Sequence, residues 1–204
     1  TALNAKQEGE FIQDFAGPLG KPSELEGLKR VCVVGGGVGN AIAYPIVKAL
    51  HAQGTDVTVI VGFRSKDLVI LEDEFRAASN KLILCTDDGS YGVKGMVTAP
   101  LKELLENGER FDEVITIGPI VMMKFVALTT KPFDIPCTVS MSPIMVDGTG
   151  MCGGCRVTVG GETKFACVDG PDFDGYQVDF DEAIDRGSMY RDFENRKREE
   201  ACRL

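Results

Sequence analysis

An aspartate and three cysteines in the last third of the chain have the spacing of an iron–sulfur site. Asp147, Cys152, Cys155 and Cys167 are separated as D-x4-C-x2-C-x11-C. Plant-type [2Fe–2S] proteins use C-x4-C-x2-C and a distant fourth cysteine, so Asp147 stands where the first thiolate would be. Glycines lie between these residues, and glycine lets backbone N–H groups approach sulfur closely. The pattern predicts one [2Fe–2S] cluster on these four side chains.

Two other interpretations of the cysteines stay open. A structural zinc could be held by Cys152, Cys155 and Cys167 together with Cys137, because zinc takes four thiolates in such sites. Alternatively, the three clustered cysteines could be free buried thiols, although the CGGC spacing argues against that.

A glycine-rich segment suits a dinucleotide. The run GGGVG (35–39) follows a strand-like run and precedes a helix-like one, where backbone donors and the helix dipole favour a pyrophosphate. Its glycines are Gly35, Gly36, Gly37 and Gly39. Asn40 replaces the last Gly/Ala of the usual G-x-G-x-x-G/A motif, and such a turn can also serve packing alone. A side chain at Gly37 is expected to fill the space that the pyrophosphate needs.

The elements that must position these residues alternate between strand and helix. Unbroken β-branched runs predict parallel strands covered on both faces, and the segments between them have helical patterning. The predicted strands are 30–34, 56–62, 81–86, 113–118 and 136–141, and the predicted helices are 40–53, 66–79, 97–107 and 121–129. The sequence therefore predicts an α/β fold with a doubly wound parallel sheet. Loops 35–39, 86–92 and 118–123 are expected at the carboxyl edge of that sheet, where ligands bind in such folds.

The flanking segments divide the chain further. Residues 1–28 contain one short predicted strand and a Pro/Gly linker, which suggests the remnant of another domain. Residues 29–143 form the predicted nucleotide domain, and residues 144–170 form a small cysteine-rich module that ends in a predicted hairpin. Residues 171–204 are an acidic tail with a helix predicted after Phe180.

Composition excludes several classes of function. The chain of 204 residues has 22 Lys and Arg against 31 Asp and Glu, a formal net charge of −9. This balance argues against nucleic acid and anionic membranes as partners, because both need clustered basic residues. No apolar run reaches the roughly 20 residues of a membrane span. The single histidine excludes multi-histidine zinc sites, and we expect a cytoplasmic protein whose seven cysteines do not form disulfides.

Four segments together resemble the ferredoxin–NADP reductase superfamily. They are GGGVGNAIAYPIVKAL, TDDGSYGVKGMVT, GPIVMMK and VDGTGMCGGCRV. Within it, they resemble the small subunits of NADH-dependent reduced ferredoxin:NADP oxidoreductases and sulfide dehydrogenases, which are related to dihydroorotate dehydrogenase electron-transfer subunits. The resemblance covers about residues 9–190. It implies an aspartate as the first cluster ligand in the reductase branch and a cysteine in the dihydroorotate branch, so Asp147 favours the former.

The resemblance also implies roles for individual residues. The glycines of 35–39 would cradle the pyrophosphate. Asp88, with Asp87 beside it, would approach the adenosine ribose, and Arg64 could reach a phosphate. Gly118 and Pro119 would line the nicotinamide slot. The charge of the two aspartates disfavours the 2′-phosphate of NADP, whereas Arg64 favours it.

The implied activity is that of an NAD(P)H-dependent flavin/iron–sulfur oxidoreductase subunit. Electrons would move between NAD(H), FAD and the [2Fe–2S] cluster to a larger partner subunit, with ferredoxin reached through that partner. Most of the family's flavin barrel has no counterpart in these residues, so we expect FAD to bind only in a more complete protein and this portion alone to be inactive. The alternatives are a dihydroorotate dehydrogenase electron-transfer subunit, a non-enzymatic nucleotide-binding redox sensor and a zinc-stapled interaction module.

Overall fold

A seven-stranded, mostly parallel sheet forms the centre of the computed structural model, which describes residues 3–201. The strands are β1 (Arg30–Gly36), β2 (Asp56–Phe63), β3 (Lys81–Thr86), β4 (Val93–Lys94), β5 (Glu113–Ile117), β6 (Cys137–Ser140) and β9 (Asp172–Asp174). Their order is β4-β3-β2-β1-β5-β6-β9, and only β9 is antiparallel to its neighbour. The chain winds outward from β1 in both directions, so the topological switch lies between β1 and β5. The predicted doubly wound α/β fold is confirmed.

Helices cover both faces of this sheet. The covering helices are α1 (Gly39–Ala52), α2 (Glu72–Ala77), α3 (Thr98–Glu106), α4 (Ile120–Thr130) and α5 (Phe180–Ser188), and the last helix, α6 (Arg191–Ala201), is exposed to solvent. Leu50 of α1 and Phe75 of α2 pack on one face together with the odd-numbered valines of β1. Leu101 of α3, Met123 of α4 and Phe180 of α5 pack on the other face. Strands buried on both sides explain the continuous apolar runs in the sequence.

The cysteine-rich segment packs on the same core as the sheet. Its hairpin consists of β7 (Arg156–Val159) and β8 (Glu162–Phe165), joined by the Gly160–Gly161 turn as predicted. Cys155, Val157 and Cys167 are buried in the cluster that also contains α3 and α4. This segment has few apolar side chains of its own, and the sheet domain supplies the rest of its core.

Two sequence predictions about elements are wrong, and two strands were not predicted. The helix predicted at 66–79 is broken into a short 3-10 turn, Lys66–Leu68, and α2, because Leu71 turns the chain in a left-handed conformation (φ 59°) and packs on the core with Val69. The strand predicted within residues 9–22 does not form, since no neighbouring strand offers it hydrogen bonds, and Phe11 and Phe15 are exposed. Strands β4 and β9 were not predicted, because β4 has two residues and β9 is a three-residue edge strand with two aspartates, and both segments have the composition of a loop.

Two further points concern membrane spans and the remaining cysteine. Within residues 3–201, no helix has the length and apolar character needed to cross a lipid bilayer. The seventh cysteine, Cys202, lies outside the described residues.

Asp112 joins the starts of two central strands. Its Oδ2 accepts hydrogen bonds from the backbone N–H groups of Lys29 (2.7 Å) and Arg30 (2.9 Å), and these bonds lower the pKa of the carboxyl group. A charged acceptor makes a stronger bond than a neutral one, although exposure to solvent weakens the effect here.

We therefore expect Asp112→Asn to lower the free energy of unfolding by about 0.5–1 kcal/mol at pH 7. Because the folded-state pKa is depressed, this contribution is present above the unfolded pKa and is lost as the pH falls through the folded one. Urea denaturation of both proteins between pH 7 and pH 3 should show the difference vanish at the acidic end. Asp185→Asn serves as the control, because Asp185 is exposed and its carboxylate accepts no hydrogen bond within residues 3–201. An equal loss in both variants would contradict the assignment.

Candidate functional site

The glycine loop after β1 lies directly against the end of β5. A Cβ atom on Gly39 would lie 2.7 Å from the backbone oxygen of Ile117 and 2.8 Å from Cα of Gly118. These distances are too short for any side chain, so glycine is required where the two backbones meet. The close approach brings the loop after β1 and the start of α4 together at the switch point, as expected for a ligand site in this fold.

Asn40 explains why the motif departs from G-x-G-x-x-G/A. Its side chain is fully buried, and its Nδ2 donates a hydrogen bond to the carbonyl of Gly37 (2.9 Å). A Cβ atom on Gly35 would lie 2.0 Å from Asn40 Oδ1, so the asparagine occupies space that the glycine leaves. Gly37 donates its own N–H to the carbonyl of Gly62 (2.8 Å). Asn40 thus fixes the loop from beneath.

A cleft of about 340 Å³ opens above this loop at the carboxyl ends of the strands. Among the predicted residues it is lined by Gly36, Gly37, Arg64, Asp87 and Pro119. Residues that the sequence analysis did not single out complete the lining, and they are mainly apolar: Gly62, Phe63, Gly95, Met96, Val97, Thr98, Val121, Met122 and Phe125. The types and spacing of these residues do not indicate a ligand site. They reach the cleft only because the fold brings their segments to the carboxyl ends of the strands.

The remaining predicted nucleotide residues lie outside the lining. Gly35 and Gly39 lie beneath the loop, and Gly118 contacts the backbone of Gly36. Asp88 does not line the cleft, because its carboxylate accepts hydrogen bonds from the N–H (2.9 Å) and the hydroxyl (2.6 Å) of Ser90. These bonds lower the pKa of Asp88 and hold its side chain in a local turn. Of the two aspartates, Asp87 is therefore the one that faces the cleft.

Asp147 organises the loop that carries the first cysteine. Its Oδ1 accepts a hydrogen bond from the N–H of Thr149 (2.5 Å), and its Oδ2 accepts one from the N–H of Cys152 (2.7 Å). These bonds lower the pKa of Asp147, because they stabilise its charged form. The carboxylate is exposed and lies at the start of the loop.

The three cysteines of the loop have unequal environments. The Sγ atoms of Cys155 and Cys167 are buried and lie 3.2 Å apart, whereas Cys152 is exposed. Contact with Cys155 and burial raise the pKa of the Cys167 thiol. Within residues 3–201, no three His, Cys, Asp or Glu side chains converge on one point at metal-binding distances. The predicted ligands thus form a buried sulfur pair and an exposed Asp147–Cys152 pair.

The backbone of this loop fits an iron–sulfur cluster. The N–H of Gly154 is directed at Cys152 Sγ (3.3 Å), and the N–H of Cys167 is directed at Cys155 Sγ (3.5 Å). Amide donors aimed at ligand sulfurs are a regular feature of such clusters and tune their potentials. Three thiols and one carboxylate also supply four anionic ligands.

Cys137, the fourth ligand of the zinc alternative, lies in a different environment. It is buried in β6, and desolvation raises the pKa of its thiol to about 12. The charged groups that act on it are Glu113 and Asp174, and a hydrogen bond links it to Thr130. Its hydrogen-bond partner therefore lies on α4, whereas Cys155 and Cys167 contact each other.

Comparison with known proteins identifies the family. A sequence model described as the iron-sulfur cluster binding domain of dihydroorotate dehydrogenase B matches residues 142–179. A dihydroorotate dehydrogenase B (NAD(+)) electron transfer subunit homolog from Thermotoga maritima is 52% identical over 94% of this chain and 67% of its own length. The chain belongs to the family of dihydroorotate dehydrogenase B electron-transfer subunits and their homologues. A probable electron transfer subunit from Methanocaldococcus jannaschii is 39% identical over 87% of this chain and 67% of its own length.

A solved structure extends the comparison to the whole fold. A chain of the NADH-dependent reduced ferredoxin-NADP oxidoreductase, studied for flavin-based electron bifurcation, is 46% identical. It superposes with a TM-score of 0.90 over 98% of this chain and 72% of that one. The predicted family, the ferredoxin reductase-like fold and the class of function, an electron-transfer subunit of a flavin/iron–sulfur oxidoreductase, are confirmed. The predicted iron–sulfur class of cofactor is confirmed as well.

The contact between Gly39 and β5 gives a direct test of how the cleft is built. We expect Gly39→Ala to lower the free energy of unfolding by about 1–3 kcal/mol, because the new methyl group meets backbone atoms that cannot move independently. Gly187→Ala is the matched control, since a Cβ there meets only Ile120 Cδ1 at 3.9 Å and the residue lies in α5. The control should be neutral or more stable by up to about 1 kcal/mol. Urea denaturation measures both, and equal stabilities would refute the close contact.

Proposed function

We propose that this chain binds NAD(H) in the glycine-lined cleft and a [2Fe–2S] cluster in the cysteine loop, and passes electrons toward a larger partner subunit. The observation that supports it is the position of α4 between the two candidate sites. Val121 and Phe125 of this helix line the cleft, while Ile120 lines a second cleft that borders the cysteine loop. A single helix thus contacts both sites. When bound, FAD would take hydride from the nicotinamide and the cluster would take single electrons.

The nucleotide would be held mainly by backbone groups. Gly37 leaves open space for the pyrophosphate beside the start of α1, where the helix dipole favours negative charge, and Gly36 lines the same cleft. Asp87 would face the adenosine ribose, and its charge opposes a 2′-phosphate. Arg64 lines the same cleft and could hold the pyrophosphate. Because the charge of Asp87 opposes a 2′-phosphate, we propose that the cleft binds NAD(H) in preference to NADP(H). Gly118 and Pro119 would lie beside the nicotinamide.

The cluster would be held by Asp147, Cys152, Cys155 and Cys167. The chain's own contribution is the N–H groups of Gly154 and Cys167, which are directed at the sulfurs of Cys152 and Cys155, and the hydrogen bond from the N–H of Cys152 that orients the carboxylate of Asp147. FAD would bind to the barrel domain that the family resemblance implies, so residues 1–28 are proposed as its junction with the nucleotide domain at 29–143. We therefore expect the 204 residues alone to lack NADH oxidation.

The partner would be a larger redox subunit of the ferredoxin:NADP oxidoreductase type, and ferredoxin would be reached through it. Asp147 supports this branch over a dihydroorotate dehydrogenase, as its place in the ligand spacing indicates. The surface around the loop supports docking, since Val146 (79% exposed) and Met151 (89% exposed) present apolar side chains to solvent. Because the chain has a net charge of −9, we expect the partner to present a basic surface, and we expect the association of the two to weaken as the salt concentration rises.

The cluster assignment is tested by cysteine variants. We expect anaerobically purified protein to contain about two irons and two acid-labile sulfides per chain, as a [2Fe–2S] cluster requires. Cys152→Ala should lose most of this iron, because it removes a ligand. Cys137→Ala should keep it, because Cys137 lies in β6 outside the ligand set. Stoichiometric zinc that is lost in Cys137→Ala would overturn the proposal in favour of the zinc site.

The nucleotide site is tested at Gly37, whose Cβ position points into open space at φ +55°. Valine is unsuitable there, because a β-branched residue is strained at positive φ, whereas asparagine tolerates it. We expect Gly37→Asn to raise the Kd for NADH at least tenfold, about 1.4 kcal/mol, by filling the pyrophosphate space. Gly54→Asn is the control, since Gly54 has φ +89°, open space and no part in the cleft. Calorimetry that gives equal Kd values for wild type and Gly37→Asn would contradict the site.

A further inference from the structure

Two arginines hold the turn between Cys152 and Cys155. Arg156 Nη1 donates a hydrogen bond to the carbonyl of Gly153 (3.2 Å), and Arg186 Nη2 donates one to the carbonyl of Gly154 (3.2 Å). Arg156 lies at the start of β7, whereas Arg186 lies on α5, 32 residues beyond Gly154. Both carbonyls of the two-residue turn therefore accept a bond from a guanidinium.

One peptide group links the guanidinium of Arg156 to the sulfur of Cys152. The carbonyl of Gly153 and the N–H of Gly154 belong to the same peptide unit, and that N–H is directed at Cys152 Sγ (3.3 Å). A cation on the carbonyl oxygen polarises the peptide and strengthens the donor at its other end, because hydrogen bonds in a chain reinforce one another. The charge of Arg156 thus acts on the sulfur without touching it.

Arg186 acts from a more sheltered position. It is half-buried, whereas Arg156 is exposed, and both arginines line a cleft of about 480 Å³ that also contains Ile144 and Val146. A charge beside apolar surface is screened less than one in open solvent. In the part of the chain that the structure describes, neither Arg156 nor Arg186 lies within 4.0 Å of a carboxylate, so no direct ion pair offsets either charge.

We propose that Arg156 and Arg186 are positioning residues that fix the Cys152–Cys155 turn and raise the reduction potential of the cluster. The inference rests on the proposed function, in which these cysteines hold a [2Fe–2S] cluster. Reduction adds one electron to a group already surrounded by anionic ligands. Nearby positive charge and strengthened N–H donors stabilise the added charge, which favours the reduced form.

The test is a redox titration of the cluster-loaded full chain, followed by electron paramagnetic resonance of the reduced cluster. Arg186→Gln should lower the ratio of reduced to oxidised cluster about tenfold at a fixed potential, which is about 59 mV for one electron. Arg156→Gln should lower it about threefold, because this guanidinium is exposed and more strongly screened. Arg186→Lys and Arg156→Lys should restore most of the potential, since they restore the charge. Arg76→Gln, which removes an exposed guanidinium on α2, should leave it unchanged.

The outcomes separate this inference from the proposed function. If wild-type protein holds no cluster, the proposed function fails. If cluster content and unfolding midpoint are the same in all variants and the potential moves in neither glutamine variant, the proposed function stands and the inference is overturned. If a glutamine variant loses the cluster while its unfolding midpoint is unchanged, the turn is held by the arginine as proposed, and the lysine variants then decide the effect on the potential. Lysine variants with the potential of wild type support the proposed effect of charge. Lysine variants whose reduced-to-oxidised ratio falls by the factor expected for glutamine, about tenfold at Arg186 or threefold at Arg156, overturn it.

Discussion

The close approach of two backbone segments, the loop after β1 and the turn after β5, governs the rest of the structure. Where Gly39 meets Gly118, the chain has no room for a side chain on either segment. This contact closes the floor of the cleft at the point where the winding of the sheet reverses. It also sets where α4 begins, because Pro119 and Ile120 follow Gly118 immediately. The position of the cleft therefore depends on the close backbone contact between Gly39 and Gly118.

The position of α4 connects the cleft to the cysteine-rich segment. Ile120, at the start of the helix, lies 3.9 Å from the Cβ position of Gly187 on α5, and Lys124 forms an ion pair with Asp181 (2.5 Å) at the beginning of α5. Helix α5 in turn reaches the cysteine loop through Arg186. Two packed helices, α4 and α5, thus lie between the cleft and the cysteine loop.

The sequence predicted what depends on local composition and missed what depends on contacts between distant segments. The strand at 81–86 was predicted to the residue, because its β-branched and apolar run is bounded by turn residues on both sides. The break at Leu71 depends on side chains packing against α1 and the sheet, which no local pattern reveals. Asp88 is different, since the D-x-S pattern with Ser90 is a local signal for a side-chain turn and could have shown that its carboxylate is engaged. The bond from Arg186 to Gly154 spans 32 residues and required the fold.

The candidate cluster ligands differ in what holds them. Cys155 and Cys167 are fixed by the core that they share with the sheet, so their positions follow from the packing of the whole domain. Asp147 and Cys152 are exposed, and they are held by hydrogen bonds between neighbouring residues of the loop. The loop thus has an inner edge packed in the core that it shares with the sheet, and a solvent-exposed outer edge held by local hydrogen bonds and by the two arginines at the Gly153–Gly154 turn.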